Sequence, residues 1–161
     1  MAKEIQLTQG KVALVDDDMY DYLNQWKWYA NNLNGKFYAV RNLRINKKYV
    51  KSILMHRFIM STNKGLVVDH LNGDTLDNRK CNLRNCTHGE NLKNQKISIK
   101  NTSGYKGVSW NKNHKSYEAK INNNNITIQI GNFKNIIDAA RAYNEAAVKY
   151  HGEFANLNKI D

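Results

Sequence analysis

The strictest constraint on the fold of this chain is the alternation at residues 117–130. Tyr117, Ala119 and Ile121 are interleaved with Glu118, Lys120 and Asn122, and Ile126, Ile128 and Ile130 are interleaved with Thr127 and Gln129. A period of two sends successive side chains to opposite faces of a strand. These residues therefore predict two antiparallel strands with one buried face and one polar face. Asn123 and Asn124 make the tight connection, because asparagine tolerates positive φ. Residues 105–110 read as a third strand. The period then changes: Ile136, Ala139, Ala140, Tyr143, Ala146, Ala147 and Tyr150 form one helical stripe over residues 136–150. Asn135 is placed to cap that helix, with Asp138 three residues on, and Gly152 ends it. The small alanines let the helix lie close to the sheet, covering one face and leaving the polar face open. The chain has no proline to break any of these elements.

The rest of the chain reads as a separate module. Residues 11–15 suggest a short buried strand. Asp16, Asp17 and Asp18 follow, then Met19, Tyr22, Leu23 and Trp26 at helical spacing. The three aspartates are expected to cap this helix and to complement its positive end. Residues 37–45 and 48–54 look like two strands whose alternation gathers basic residues on one side. Residues 55–64 suggest a short helix. Residues 65–71 and 83–86 suggest short antiparallel strands joined by a long loop. Thr87-His88-Gly89-Glu90 is a capping-box pattern that opens another helix, with Asn91 one turn in. Residues 94–104 are polar and aperiodic, as in a linker. The expected class is α+β, with a first domain at 1–94, a linker at 95–102 and a second domain at 103–161. The 161 residues are enough for two small domains.

Charge narrows the partner. The net charge is +11, and no acidic residue lies between Asp21 and Asp69. That stretch interleaves its cations with Trp26, Trp28, Tyr29, Phe37, Tyr38, Tyr49 and Phe58. Basic strands with aromatic neighbours suit a phosphate backbone better than a merely solvated lysine face. Arg41, Arg44, Lys47, Lys48, Lys51 and Arg57 are the candidate phosphate contacts in this stretch. No run approaches the roughly 18 apolar residues of a membrane span. The N-terminus lacks the apolar core of a secretory signal, so the chain is expected in the cytoplasm. Cys81 and Cys86 are too few for a disulfide scaffold, and their spacing does not suit a paired zinc motif.

The remaining signal lies between Val67 and Asn94. Asp69 and His70 sit side by side, and Asn82 and Asn91 follow. This set suits phosphodiester chemistry at a single metal. The surrounding residues, MHRFIM…VVDHLNGDTLDNRKCNLRNCTHGEN, resemble the HNH, or ββα-metal, endonucleases, in particular those of phage homing enzymes. The resemblance covers roughly residues 55–94, through the elements D-H, N-G-D, D-N-R, N-L-R and E-N. It implies that Asp69 and Asn91 bind one divalent metal, that His70 is the general base, and that Asn82 orients the histidine and stabilises the loop. Many such enzymes carry histidine at the last position, so Asn91 marks the homing-type variant. The physical chemistry agrees. Neutral imidazole accepts a proton near neutral pH, and a carboxylate with an amide oxygen favours Mg2+ or Mn2+. His56 and His88 are possible accessory residues.

A second resemblance follows the alternating strands. SGYKGVSW…SYEAKIN…ITIQIGNFKNIIDAARAYNEAAVKYHGEFANLN is similar to the plant APETALA-two/ethylene-response-factor DNA-binding domain over residues 103–158. That resemblance implies a three-stranded sheet in the major groove, backed by the helix. The DNA-facing positions become Lys106, Ser109, Asn111, Lys120, Asn122, Thr127 and Gln129. Several are Ser, Asn, Thr or Gln where the plant proteins carry arginine, so an A·T-leaning site is expected. Together the two resemblances imply a phage or prophage site-directed endonuclease. It would be a monomer on double-stranded DNA, with one Mg2+ or Mn2+ ion, no small-molecule cofactor and no membrane partner. The competing readings are a non-cleaving, sequence-specific DNA-binding regulator with a degenerate HNH fold, and a binder of structured RNA.

Overall fold

The computed structural model describes residues 1–48, 50–95, 97–98 and 100–160. Tyr49, within the second expected basic strand, and residues 96 and 99 of the expected linker lie outside the described residues. Two compact units are present, Met1–His88 and Gly89–Asp161. The architecture is mixed α and β, with small antiparallel sheets and helices α1 to α4 among the described residues.

The first unit opens with β1 (Ala2–Gln6) paired antiparallel to β2 (Val12–Asp16). Strand β1 was not expected from the sequence. Within it only Ile5 is buried, so no alternation betrays it. Helix α1 (Asp17–Leu23) follows directly. Asp16 stands at its N-cap, yet its side chain does not cap. Instead, Asp16 Oδ2 accepts the Lys80 amide at 2.7 Å. The expected capping role is therefore corrected: a distant amide competes for the carboxylate, while Asp17 and Asp18 still occupy the first turn.

Strands β3 (Tyr29–Leu33), β4 (Lys36–Arg44) and β5 (Val50–Leu54) form a sheet in that order. Strand β3 is also new, although Asn34-Gly35 at positive φ is a hairpin signal present in the sequence. The basic residues do not gather on one side. The register pairs Leu43 with Lys51 and Arg44 with Val50. Arg41 and Arg44 are an odd number of residues apart, so the pleat sends them to opposite faces. Ile5, Val15, Leu23, Trp28 and Met55 build the core of this unit, and the Trp28 indole donates to the Leu23 carbonyl at 2.9 Å. Helix α2 (Met55–Ile59), β6 (Val67–His70) and β7 (Leu83–Cys86) complete it, with β6 and β7 antiparallel.

The second unit contains most of α3 (His88–Lys93), then β8 (Val108–Asn111), β9 (Ser116–Asn123), β10 (Ile126–Phe133) and α4 (Ile136–His151). The sheet order is β10-β9-β8. Asn135 Oδ1 accepts the Ile137 amide at 2.8 Å, as a cap should. Ala139, Ala140, Tyr143, Ala146 and Ala147 are buried against Val108, Ala119 and Ile121. A β-bulge between Gln129 and Gly131 was not legible in the alternation. It resets the parity, so that Phe133 rather than Asn132 joins the core. No helix among the described residues is long and apolar enough to cross a membrane.

Close packing in this unit requires Gly107. Its φ is +73°, and an added Cβ would lie 2.1 Å from the Tyr143 ring and 2.6 Å from the Lys120 carbonyl oxygen. Gly107→Ala is expected to cost roughly 2–4 kcal/mol through strain and overpacking. Urea unfolding followed by circular dichroism checks this; an unchanged midpoint contradicts it.

Candidate active site

Strand β6 is four residues long and ends in the Asp69-His70 pair. Both side chains are buried, at 5% and 6% exposure. Cross-strand pairing sets Asp69 opposite Arg84 and His70 opposite Leu83. The Arg84 Nε and Nη2 groups donate to Asp69 Oδ2 at 2.9 and 2.7 Å.

The loop between β6 and β7 is fixed by amides and a buried carboxylate. Asn82 Nδ2 donates to the Asp77 carbonyl at 2.8 Å, and Asn82 Oδ1 accepts the Asn72 amide at 3.0 Å. Asn82 thus ties two points of the loop to the start of β7. Asp77 is 2% exposed and meets Arg79 fork to fork, Nε to Oδ1 at 2.7 Å and Nη2 to Oδ2 at 2.6 Å. Asn72 Nδ2 also donates to Asp77 Oδ2 at 2.9 Å. Arg79 holds the Asp77 carboxyl below its ordinary range. Asn78, 1% exposed, donates its amide N–H to the Leu14 carbonyl at 2.8 Å, which fastens the loop to β2.

His70 lies among aromatic rings. The His56 ring stands edge-on to it at 5.1 Å between centroids, and Tyr38 lies 6.4 Å from His70 and 5.6 Å from His56. Burial pushes the His70 pKa down, while the Asn78 side chain and the carboxylates of Asp69, Asp74 and Asp77 pull it up. His56 is 6% exposed, and no hydrogen-bond partner reaches its Nδ1 among the described residues. Burial, with smaller contributions from His70 and Arg57, pushes the His56 pKa down to about 3.

Asn91 is half-buried on α3, within the second compact unit, and His88 is exposed at the start of that helix. Arg44, Lys47, Lys48 and Lys51 are exposed around the β4–β5 connection. Arg41 instead stacks on Trp26 at 4.1 Å, with Phe58 and Trp28 at 5.6 and 5.7 Å. Arg57 Nη1 donates to the Leu66 carbonyl at 2.8 Å. On the second unit's sheet, Ser109, Lys120, Asn122, Thr127 and Gln129 are exposed and Asn111 is half-buried. Thr127 Oγ1 donates to Asn122 Oδ1 at 2.6 Å across the strands. The Lys106 ammonium does not stand on that open face: it donates to the Lys93 and Gln95 carbonyls at 2.7 and 2.6 Å, near the end of α3. Burial pushes its pKa down to about 8.

Arg84, Asp77, Asn78 and Tyr38 had no expected role from the sequence. Three of these lie in the D-N-R and N-L-R elements. Strand parity is the signal for Arg84, since pairing His70 with Leu83 sets Asp69 opposite the next residue. Asp69 supplies the hard carboxylate oxygen that a divalent ion takes, although Arg84 occupies its Oδ2. Among the described residues no three His, Cys, Asp or Glu side chains form a metal cluster. An ion at Asp69 therefore depends on amide, water and phosphate oxygens as well.

This geometry is testable at two residues. Asn82→Ala strands a loop amide and a buried carbonyl, at roughly 1–3 kcal/mol in urea unfolding; full retention of stability contradicts the tie. The His56 pKa is lower folded than unfolded, so the unfolded chain binds more protons as pH falls from 6.5 toward 3. Stability is expected to fall across that window and to fall less in His56→Phe, as measured by thermal midpoints. A parallel decline in both proteins overturns this assignment.

Known proteins are similar to this chain over a part of it or nearly all of it. A family model described as HNH endonuclease covers residues 61–93, which include Asp69, His70, Asn82 and Asn91. Protein 3.8 of Escherichia phage T7 is 38% identical over 58 residues, 36% of this chain and 48% of that protein. An uncharacterized HNH endonuclease of Acanthamoeba polyphaga mimivirus is 30% identical over 154 residues, 95% of this chain and 78% of the viral protein. With that extent of likeness, and with Asp69 and His70 buried together on β6, the chain belongs to the HNH endonuclease family.

Proposed function

We propose that the protein is a site-directed DNA endonuclease of homing type that hydrolyses one phosphodiester with one divalent metal and a histidine base. The observation that carries this reading is the buried Asp69-His70 pair on β6, with Arg84 balancing the acid and an aromatic wall beside the base. Asp69 and Asn91 are the proposed protein ligands of Mg2+ or Mn2+. When bound, the ion supplies positive charge to the phosphate and to the departing 3′ oxygen.

The chain's own residues supply the rest. His70 takes a proton from the attacking water at an imidazole nitrogen. Its lowered pKa keeps the ring neutral at neutral pH, and the surrounding carboxylates favour the charged ring that forms. Asn82 keeps the loop next to His70 closed, and Asn78 is the amide neighbour of the ring. The water oxygen bonds to phosphorus as the bond to the 3′ oxygen breaks; the 3′ oxygen takes a proton from solvent, leaving 5′-phosphate and 3′-hydroxyl ends. His56 is read as a packing neighbour of His70.

Double-stranded DNA is the proposed substrate. Arg44, Lys47, Lys48 and Lys51 form an exposed basic ribbon end suited to phosphates. The polar sheet face with Ser109, Asn111, Lys120, Asn122, Thr127 and Gln129 is the proposed sequence reader, in keeping with an APETALA-two-like module.

Plasmid nicking with Mg2+ or Mn2+ tests the enzyme reading. His70→Ala and Asp69→Ala are each expected to lose at least about a hundredfold in rate while DNA binding persists. Chelation should stop cleavage. A wild-type protein that binds DNA but fails to nick it with every divalent ion tried is a regulator and not a nuclease. Replacing Lys47, Lys48 and Lys51 together with alanine is expected to lower the salt dependence of duplex binding. The slope should fall by up to about 0.9 for each phosphate that is no longer neutralised. An unchanged slope removes the ribbon from the interface.

A further inference from the structure

Among the described residues, the unit that holds Asp69 contains two arginine–aspartate pairs, and they differ in kind. Arg79 meets Asp77 fork to fork, with each carboxylate oxygen taking one guanidinium donor. Asp77 also accepts from Asn72 and lies 2% exposed, so this pair is a fixed brace for the loop. Arg84 approaches Asp69 differently. Its Nε and Nη2 both converge on Oδ2, and its side chain keeps 14% exposure against 6% for Asp69.

This second pair sits on the residue proposed as the metal's carboxylate ligand. A carboxylate removed from water needs a compensating cation, or the fold bears a large desolvation penalty. In the absence of a metal, Arg84 meets that need. A divalent ion on the same carboxylate brings two more positive charges next to a guanidinium that contacts Oδ2 at 2.7 Å. The two cations repel, and in a buried setting salt screens that repulsion only weakly. Register fixes the Arg84 backbone opposite Asp69, so the guanidinium leaves the carboxylate by a change of side-chain rotamer.

We propose that Arg84 is a cationic place-holder on Asp69, which a divalent ion must displace, so that the arginine sets the metal affinity of the site. This inference rests on the reading of Asp69 as the metal ligand. Arg84 is then a positioning residue that keeps the carboxylate oriented before the metal arrives. It is also an electrostatic brake on loading. Coupling of this kind is reciprocal: a ligand that draws Arg84 off Asp69 tightens metal binding, and the metal tightens binding of that ligand by the same factor. An anionic phosphodiester that pairs with the guanidinium would do so, which ties metal loading to substrate.

The test is Mn2+ binding by the full-length chain without DNA, read by calorimetry and by the electron paramagnetic resonance of free Mn2+. Arg84→Gln keeps a hydrogen-bonding side chain but removes the charge, and is expected to bind Mn2+ about tenfold more tightly than the wild type. Arg84→Lys keeps the charge and should stay near the wild type. Addition of Mn2+ should raise the melting temperature of Arg84→Gln more than that of the wild type, because the variant's buried carboxylate lacks its cation. If Arg84 only holds Asp69 in place, Arg84→Gln binds Mn2+ more weakly or equally, and the proposal is overturned. Should Arg84→Gln fail to fold without metal, its rescue by Mn2+ supports the proposal, and failure of rescue overturns it. Asp69→Asn separates this inference from the reading beneath it. Loss of Mn2+ binding in that variant, with no gain in Arg84→Gln, sinks only the place-holder. Mn2+ binding that ignores Asp69→Asn sinks the assignment of the metal ligand itself.

Discussion

Two strands of four residues cannot hold a twelve-residue loop between them by ladder hydrogen bonds alone. A hydrogen-bond network of buried Asn82 and Asp77 with exposed Asn72 holds it instead. Asn82 closes the loop onto itself from both ends of its amide, and Asp77 gathers the Arg79 fork and the Asn72 amide into one buried point. The Asn78 backbone then fastens the loop to β2. The buried members, Asp77, Asn78 and Asn82, are costly to leave without partners, so the loop depends on all three. The placement of Asp69 and His70 depends on it, because the loop begins at the residue after His70.

Around that loop the protein manages charge by burial and by pairing. Asp69 is accompanied by Arg84, and Asp77 by Arg79. His56 and His70 are pressed toward neutrality by burial, with Tyr38 closing the aromatic wall. A neutral imidazole beside a balanced carboxylate is a poised arrangement: one group can accept a proton, and the other can exchange one cation for another. Much of the chain's basic excess lies elsewhere, exposed to water and its ions, as at Arg44, Lys47, Lys48 and Lys51.

The second unit solves a simpler problem. An alternating hairpin and an alanine-rich helix stripe have one way to bury their apolar faces, which is against each other. Close approach of helix and sheet requires the alanines, and the tight corner at Gly107 leaves the Tyr143 ring no room for another side chain. The outer face keeps its polar residues, although Lys106 turns away to the carbonyls of Lys93 and Gln95, where a cation meets the negative end of α3.

Local periodicity made much of this legible. The strand pair at 117–133, the helix that follows, its asparagine cap and its glycine end can all be read from the chain, because each depends on residues a few positions apart. The adjacency of Asp69 and His70 is likewise a fact of sequence. Strands β1 and β3 escaped, since one buried residue in five and a run of asparagines carry no period, and the bulge in β10 escaped because alternation looks the same on either side of an inserted residue. The sequence by itself determined which side chains are present and which face of each element must be buried. Only the tertiary structure decided that Arg84 lies on Asp69, that His56 stands against His70, and that Arg41 stacks on Trp26. Those partners are far apart in the chain. Register and packing bring them together, and neither is written in local spacing.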